Sequence, residues 1–129
     1  MVQSFRDLQV WQRSIELSVS VYRLTKGFPQ EELYGMTSQM RRSAVSVASN
    51  IAEGHGRQST GEYRQFLCIA RGSNFELQTQ IEIARALQFS DPKMLKEAEG
   101  LSFEVGKMIS GVLNAIRDKA AVKRLTPNP

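Results

Sequence analysis

Arg64, Arg71 and Arg85 fall at multiples of seven along one stretch of the chain. On a helix that spacing keeps three guanidinium groups on one face, drifting by about 20° per heptad. Such groups pair with phosphate or carboxylate, so the chemistry in view is recognition of an anion. Lys119, Lys123 and Arg124 add a basic end near the C-terminus. A second set, Gln39, Arg42, Ser46, Asn50 and Glu53, also recurs at helical spacing, and every member is polar. A wetted face more often carries Lys and Glu at varied positions. The second stripe is therefore read as a subunit interface or channel lining, and the basic residues as a nucleic-acid-binding surface.

The inventory for catalysis is thin. Di-iron chemistry in a helical bundle needs Glu-x-x-His pairs on two helices, whereas the chain has one histidine, His55, placed between Gly54 and Gly56. Covalent haem needs Cys-x-x-Cys-His, which is absent. Cys68 lies in the apolar run Phe66-Leu67-Cys68-Ile69 and reads as a small hydrophobe rather than a nucleophile. Glu53 and Glu76 have no feature that sets their separation, so Glu53, Asn50 and Arg42 are read as satisfying one another or a neighbouring subunit. No phosphate-binding loop or dinucleotide fingerprint is present. The expectation is no catalytic, metal or cofactor-binding residue, and no enzyme.

Composition places these residues in a single domain. The chain has 129 residues, 41% of them hydrophobic and 23% charged, ordinary for a soluble globular protein. No apolar run approaches the roughly 18 residues of a membrane span. The stretch MVQSFRDLQVW lacks the apolar core of a signal peptide, and one cysteine cannot form an internal disulfide. Together these imply a cytoplasmic protein. A formal charge of +4 permits an acidic partner without requiring one.

Periodicity supplies the scaffold. Met36, Met40, Ala44, Val47 and Ile51 follow one helical stripe, with Val45, Ala48 and Ala52 widening the apolar arc. More apolar surface than one bundle core uses is the mark of an interface. Leu8, Trp11, Ile15, Val19 and Tyr22 predict an earlier helix over 6–26, stopped by Gly27. Ser59 and Glu62 form a capping-box pattern that opens a third helix over 60–89. Its inner face reads Tyr63, Phe66, Leu67, Ala70, Leu77, Ile81, Ala84 and Leu87, and mid-helix Gly72 reads as a close helix crossing. Ser90-Asp91-Pro92 starts a fourth, over 92–119, leaving 120–129 as a flexible tail. With the central helix at 33–55 and short links, the fold class is all-α: an antiparallel up-down-up-down four-helix bundle.

The blocks Phe5-Arg6-Asp7-Leu8, Tyr34-Gly35-Met36, Gln39-Met40-Arg41-Arg42, Ser49-Asn50-Ile51-Ala52-Glu53-Gly54 and Arg71-Gly72-Ser73 with Glu76-Leu77 carry a resemblance. The sequence resembles bacterial four-helix-bundle proteins found as reading frames inside intervening sequences of 23S ribosomal RNA genes. The resemblance runs nearly to Lys119. It implies a cyclic homopentamer with a central channel, kinship with the accessory variability determinant of diversity-generating retroelements, and no established enzymatic activity. The expected function is a non-enzymatic oligomeric scaffold or adaptor that contacts RNA, DNA or a nucleic-acid enzyme, with weak sequence specificity. The alternative is a protein–protein assembly module without nucleic acid.

Overall fold

The computed structural model describes residues 4–125, with side chains described as far as residue 121. Among them there is no strand, and local signals set where each helix begins. Ser59 is extended and its Oγ accepts the Glu62 N–H at 3.1 Å, starting α3 at Thr60–Ala86. Asp91 Oδ1 accepts the Lys93 N–H at 3.0 Å at the head of α4, Pro92–Leu125. The last helix therefore continues past the expected end at Lys119. Helix α1, Gln9–Thr25, follows a 3-10 turn at Phe5–Asp7 and ends where Gly27 N–H reaches the Leu24 carbonyl.

The segment before α2 departs from the expected helix over 33–55. Regular α-helix α2 spans Ser38–His55, preceded by a 3-10 turn at Gln30–Glu32 and a π-turn at Leu33–Thr37. Gly35 (φ −108°, ψ −113°) breaks the helical path, and the Glu32 carboxylate accepts the Met36 N–H at 3.1 Å. A side chain at Gly35 would crowd that carboxylate at 3.0 Å.

Each helix packs on its sequence neighbours, and α4 returns against α1. Arg41 meets Thr25 and Ser18 meets the Ala44 carbonyl between α1 and α2. Gly54 meets Phe66 between α2 and α3. Arg85 meets Glu99 between α3 and α4, and Arg13 meets Glu104 between α1 and α4. Inside lie Leu17, Leu24, Met40, Ile51, Leu67, Leu77, Ile81, Leu95 and Ile109, all almost wholly buried. Each such side chain contributes on the order of 1.5–3 kcal/mol from burial.

The stripe that marks α1 in the sequence divides in the structure, with Leu8 and Trp11 packed partly against the core. Val10, Ser14, Leu17, Val21 and Leu24 point inward, while Ile15, Val19 and Tyr22 are exposed. Both stripes recur at helical spacing, and the second turns outward only from Ile15 onward. The α2 stripe holds from Met40 through Ile51. Leu87 of the expected α3 inner face is exposed.

Glycine roles also change. Gly72 has open space where a side chain would stand, so no helix crosses there. The close crossing is at Gly54, where a Cβ would lie 2.7 Å from Phe66 Cβ and 3.3 Å from the Tyr63 carbonyl oxygen.

Two amides are buried on α3. Asn74 Nδ2 donates to the Ser102 carbonyl at 2.9 Å, and Ser102 Oγ donates to Asn74 Oδ1 at 2.7 Å. Gln80 Oε1 is buried with no hydrogen-bond partner among the described residues. On the surface, Arg13 bridges Glu16 and Glu104, and Arg85 bridges Glu82 and Glu99. Hydrogen bonds and charge from those carboxylates raise the affinity of both guanidinium groups for their proton. The hydrogen bond from Arg85 first, and then one with Glu99, hold the Glu82 carboxyl below its ordinary range.

Candidate functional site

The polar stripe of α2 lies over its seam with α3. Ser46 and Ser73 hydroxyls meet at 2.8 Å across the seam, and Asn50 Nδ2 donates to both the Ser46 carbonyl (2.8 Å) and its Oγ (3.0 Å). Gln39, Arg42, Ser43 and Ser46 line a shallow groove with Ser73 and Glu76 of α3. Glu53 does not join Asn50 or Arg42: its carboxylate takes Arg57 Nη2 at 2.7 Å, one turn on. The stripe thus ties α2 to α3 at its middle and leaves Gln39, Arg42 and Glu53 exposed at its ends.

The heptad arginines have unequal fates. Arg64 is exposed. Arg71 is half-buried, its Nη2 4.0 Å from Cys68 Sγ. Arg85 is held by two carboxylates, which leaves its charge largely balanced before any phosphate arrives. Lys119 is exposed, and the side chains of Lys123 and Arg124 lie outside the described residues. Cys68 packs partly against the core. His55 sits edge-on to Tyr63 (5.9 Å, 84°), whose phenol is pushed up by burial. Among the described residues no group of three or more His, Cys, Asp or Glu could hold a metal, and no helix is long and apolar enough to cross a membrane.

Two surfaces were missed by the sequence reading. Between α1 and α2 an apolar groove of about 640 Å³ is lined by Tyr22, Leu33, Tyr34, Val45, Arg41 and Arg42, among others. Tyr34 stands on the π-turn and is 93% exposed. Arg41 stacks on the Tyr22 ring at 4.6 Å and donates from Nε to Thr25 Oγ1 at 2.9 Å, so its plane is fixed. Ile15 and Val19 extend this apolar face along α1.

The second surface is a groove of about 580 Å³ between α3 and α4. Arg71, Phe75 and Gln78 line it from α3, and Phe103, Lys107, Ser110 and Asn114 from α4, with Gly106 and Gly111 between them. Among the described residues no carboxylate lines it. Phe75 and Phe103 stand 55% and 50% exposed. Only the spacing of Phe75 next to Arg71 hinted at this site; Phe103 and Lys107 arrive from another helix.

The fold and its sequence have relatives. A crystal structure of a protein of unknown function from the S23 ribosomal protein family of Bacteroides thetaiotaomicron VPI-5482 matches with a TM-score of 0.75 at 24% identity. The match covers 81% of this chain and 95% of that one, and it establishes a shared fold. No curated protein matches the sequence. The family model described as 23S rRNA-intervening sequence protein matches residues 6–111, which takes in α1, α2, α3 and most of α4. By that match, the chain belongs to the 23S rRNA-intervening sequence protein family.

Proposed function

We propose that this protein is a non-enzymatic oligomeric scaffold or adaptor of the cytoplasm, which contacts nucleic acid or a nucleic-acid-processing protein through a basic surface. Its protomer is an antiparallel up-down-up-down bundle, a reading supported by late α1 meeting early α2 and late α2 meeting early α3. Its working form is a cyclic homopentamer.

The observation that carries assembly is the apolar face of α1 and α2. Ile15, Val19, Tyr22, Leu33, Tyr34 and Val45 are all exposed, and together they make a patch that a monomer seldom leaves to water. A closed ring needs a different patch on the neighbouring copy, and Ile69 and Ile83 of α3, with Leu87 at its C-terminal cap, supply one. Sedimentation velocity on Tyr34→Ser beside the parent tests the assignment. The variant should move toward the protomer, and an unchanged assembly with a folded variant would refute the face.

Nucleic-acid contact draws on the family's link to ribosomal RNA genes and on Arg64, Arg71 and Lys119, whose charge a ring would repeat around its axis. Anisotropy titration with structured RNA and DNA at two salt concentrations tests it, since phosphate contacts weaken steeply with salt. One observation favours the protein–protein alternative: Arg85 and Arg57 are already paired with carboxylates of their own chain.

A further inference from the structure

We propose that the groove between α3 and α4 is a stacking site for single-stranded nucleic acid. The inference rests on the nucleic-acid reading above and names the part of the ligand that the protein grips.

Phe75 and Phe103 come from different helices, yet both line one groove with half of each side chain open to solvent. A phenyl face in water favours an aromatic partner, and a stacked nucleobase contributes about 1–3 kcal/mol whatever its sequence. The groove also holds two cations, Arg71 and Lys107, and among the described residues no carboxylate lines it. Neither cation is in an ion pair among the described residues. This is the arrangement in which bases lie on rings while the backbone runs past positive charge. The partner is anionic because the groove is cationic, and aromatic because two phenyl rings line it. Gln78 and Asn114 in the lining bring amides that can both donate and accept hydrogen bonds. A duplex offers the phosphates but keeps its base faces stacked inside, so the groove selects single strands.

The test is fluorescence anisotropy of the full chain with labelled RNA and DNA single strands of about a dozen nucleotides, and with duplexes of the same sequences. Titrations are run at about 50 mM and about 200 mM salt. Both single strands should bind more tightly than their duplexes; a gap between RNA and DNA reports a contact to the 2′-hydroxyl. Phe103→Ala and Phe75→Ala should each weaken single-strand binding about fivefold or more and leave duplex binding unchanged. Arg71→Gln and Lys107→Gln should weaken both and flatten the salt dependence. Circular dichroism checks that each variant folds.

Binding that does not distinguish single strand from duplex, and ignores the phenylalanine changes, overturns the stacking site while leaving the nucleic-acid reading in place. No binding to any strand at the lower salt removes both. A fall in molar mass for Phe103→Ala with nucleic-acid binding intact makes the groove a contact between protein subunits and overturns the proposal.

Discussion

Helix α3 has two long seams, and residues of the same types do opposite things along them. Toward α2 the seam is shut: Gly54 admits Phe66 and Tyr63 at contact distance, Arg57 lies over the Phe66 ring at 4.8 Å, and Ser46 meets Ser73. Toward α4 the seam is pinned by Asn74 and Ser102, then opens into a groove where Phe75 and Phe103 face solvent beside Arg71 and Lys107, which join no ion pair among the described residues. One seam uses glycine, phenylalanine and arginine to hold the bundle. The other leaves them available. A residue type in a helical protein thus says little about role until its neighbours across the seam are known.

The largest effect that sharpens the contrast comes from the two buried amides. Asn74→Leu strands the Ser102 hydroxyl and should cost about 2–3 kcal/mol in chemical denaturation. A double-mutant cycle with Ser102→Ala should return a coupling of about 0.5–3 kcal/mol. Gln80→Leu removes an acceptor that has no partner among the described residues and should be neutral or mildly stabilising. Equal losses at both positions would erase the distinction.

Next come the glycines. Gly54→Ala drives a methyl group to 2.7 Å from Phe66 Cβ, and overpacking of that kind costs about 1–3 kcal/mol. Gly72→Ala meets nothing within 4 Å and should raise stability by about 0.5–1 kcal/mol through helix propensity alone. Thermal melts on the pair should move in opposite directions.

The smallest effect is on pH. Glu82 is held below its ordinary carboxyl range by Arg85, so folding releases a proton that the unfolded chain would keep. Its contribution is present above the unfolded value and is lost as pH falls through the folded one. Acid titration of stability should show a small downward step below the usual carboxylate range. That step should vanish in Arg85→Gln, and its persistence there would assign it to other groups.

Much of the scaffold was legible in the sequence. Ser59 and Asp91 mark helix starts because their side-chain oxygens take N–H groups that no carbonyl can reach. The α2 stripe was readable because only one of its faces is continuously apolar. Helix α1 carries two such stripes, and periodicity reports that a stripe exists, not which of the two meets the core. Gly72 was misread because a mid-helix glycine looks the same whether a neighbour crosses it or nothing does. The candidate site was legible in its halves only. Arg71 and Phe75 are close in sequence, but Phe103 and Lys107 reach them through the register that Asn74 and Ser102 set, a pairing 28 residues apart. No local pattern encodes that register.

In the proposed assembly, sister copies cover the apolar face of α1 and α2, crowned by Tyr34. Multi-angle light scattering across a dilution series tests it most directly. A single species of five times the protomer mass that persists on dilution is the expected result. A well-folded species of protomer mass at every concentration would contradict it.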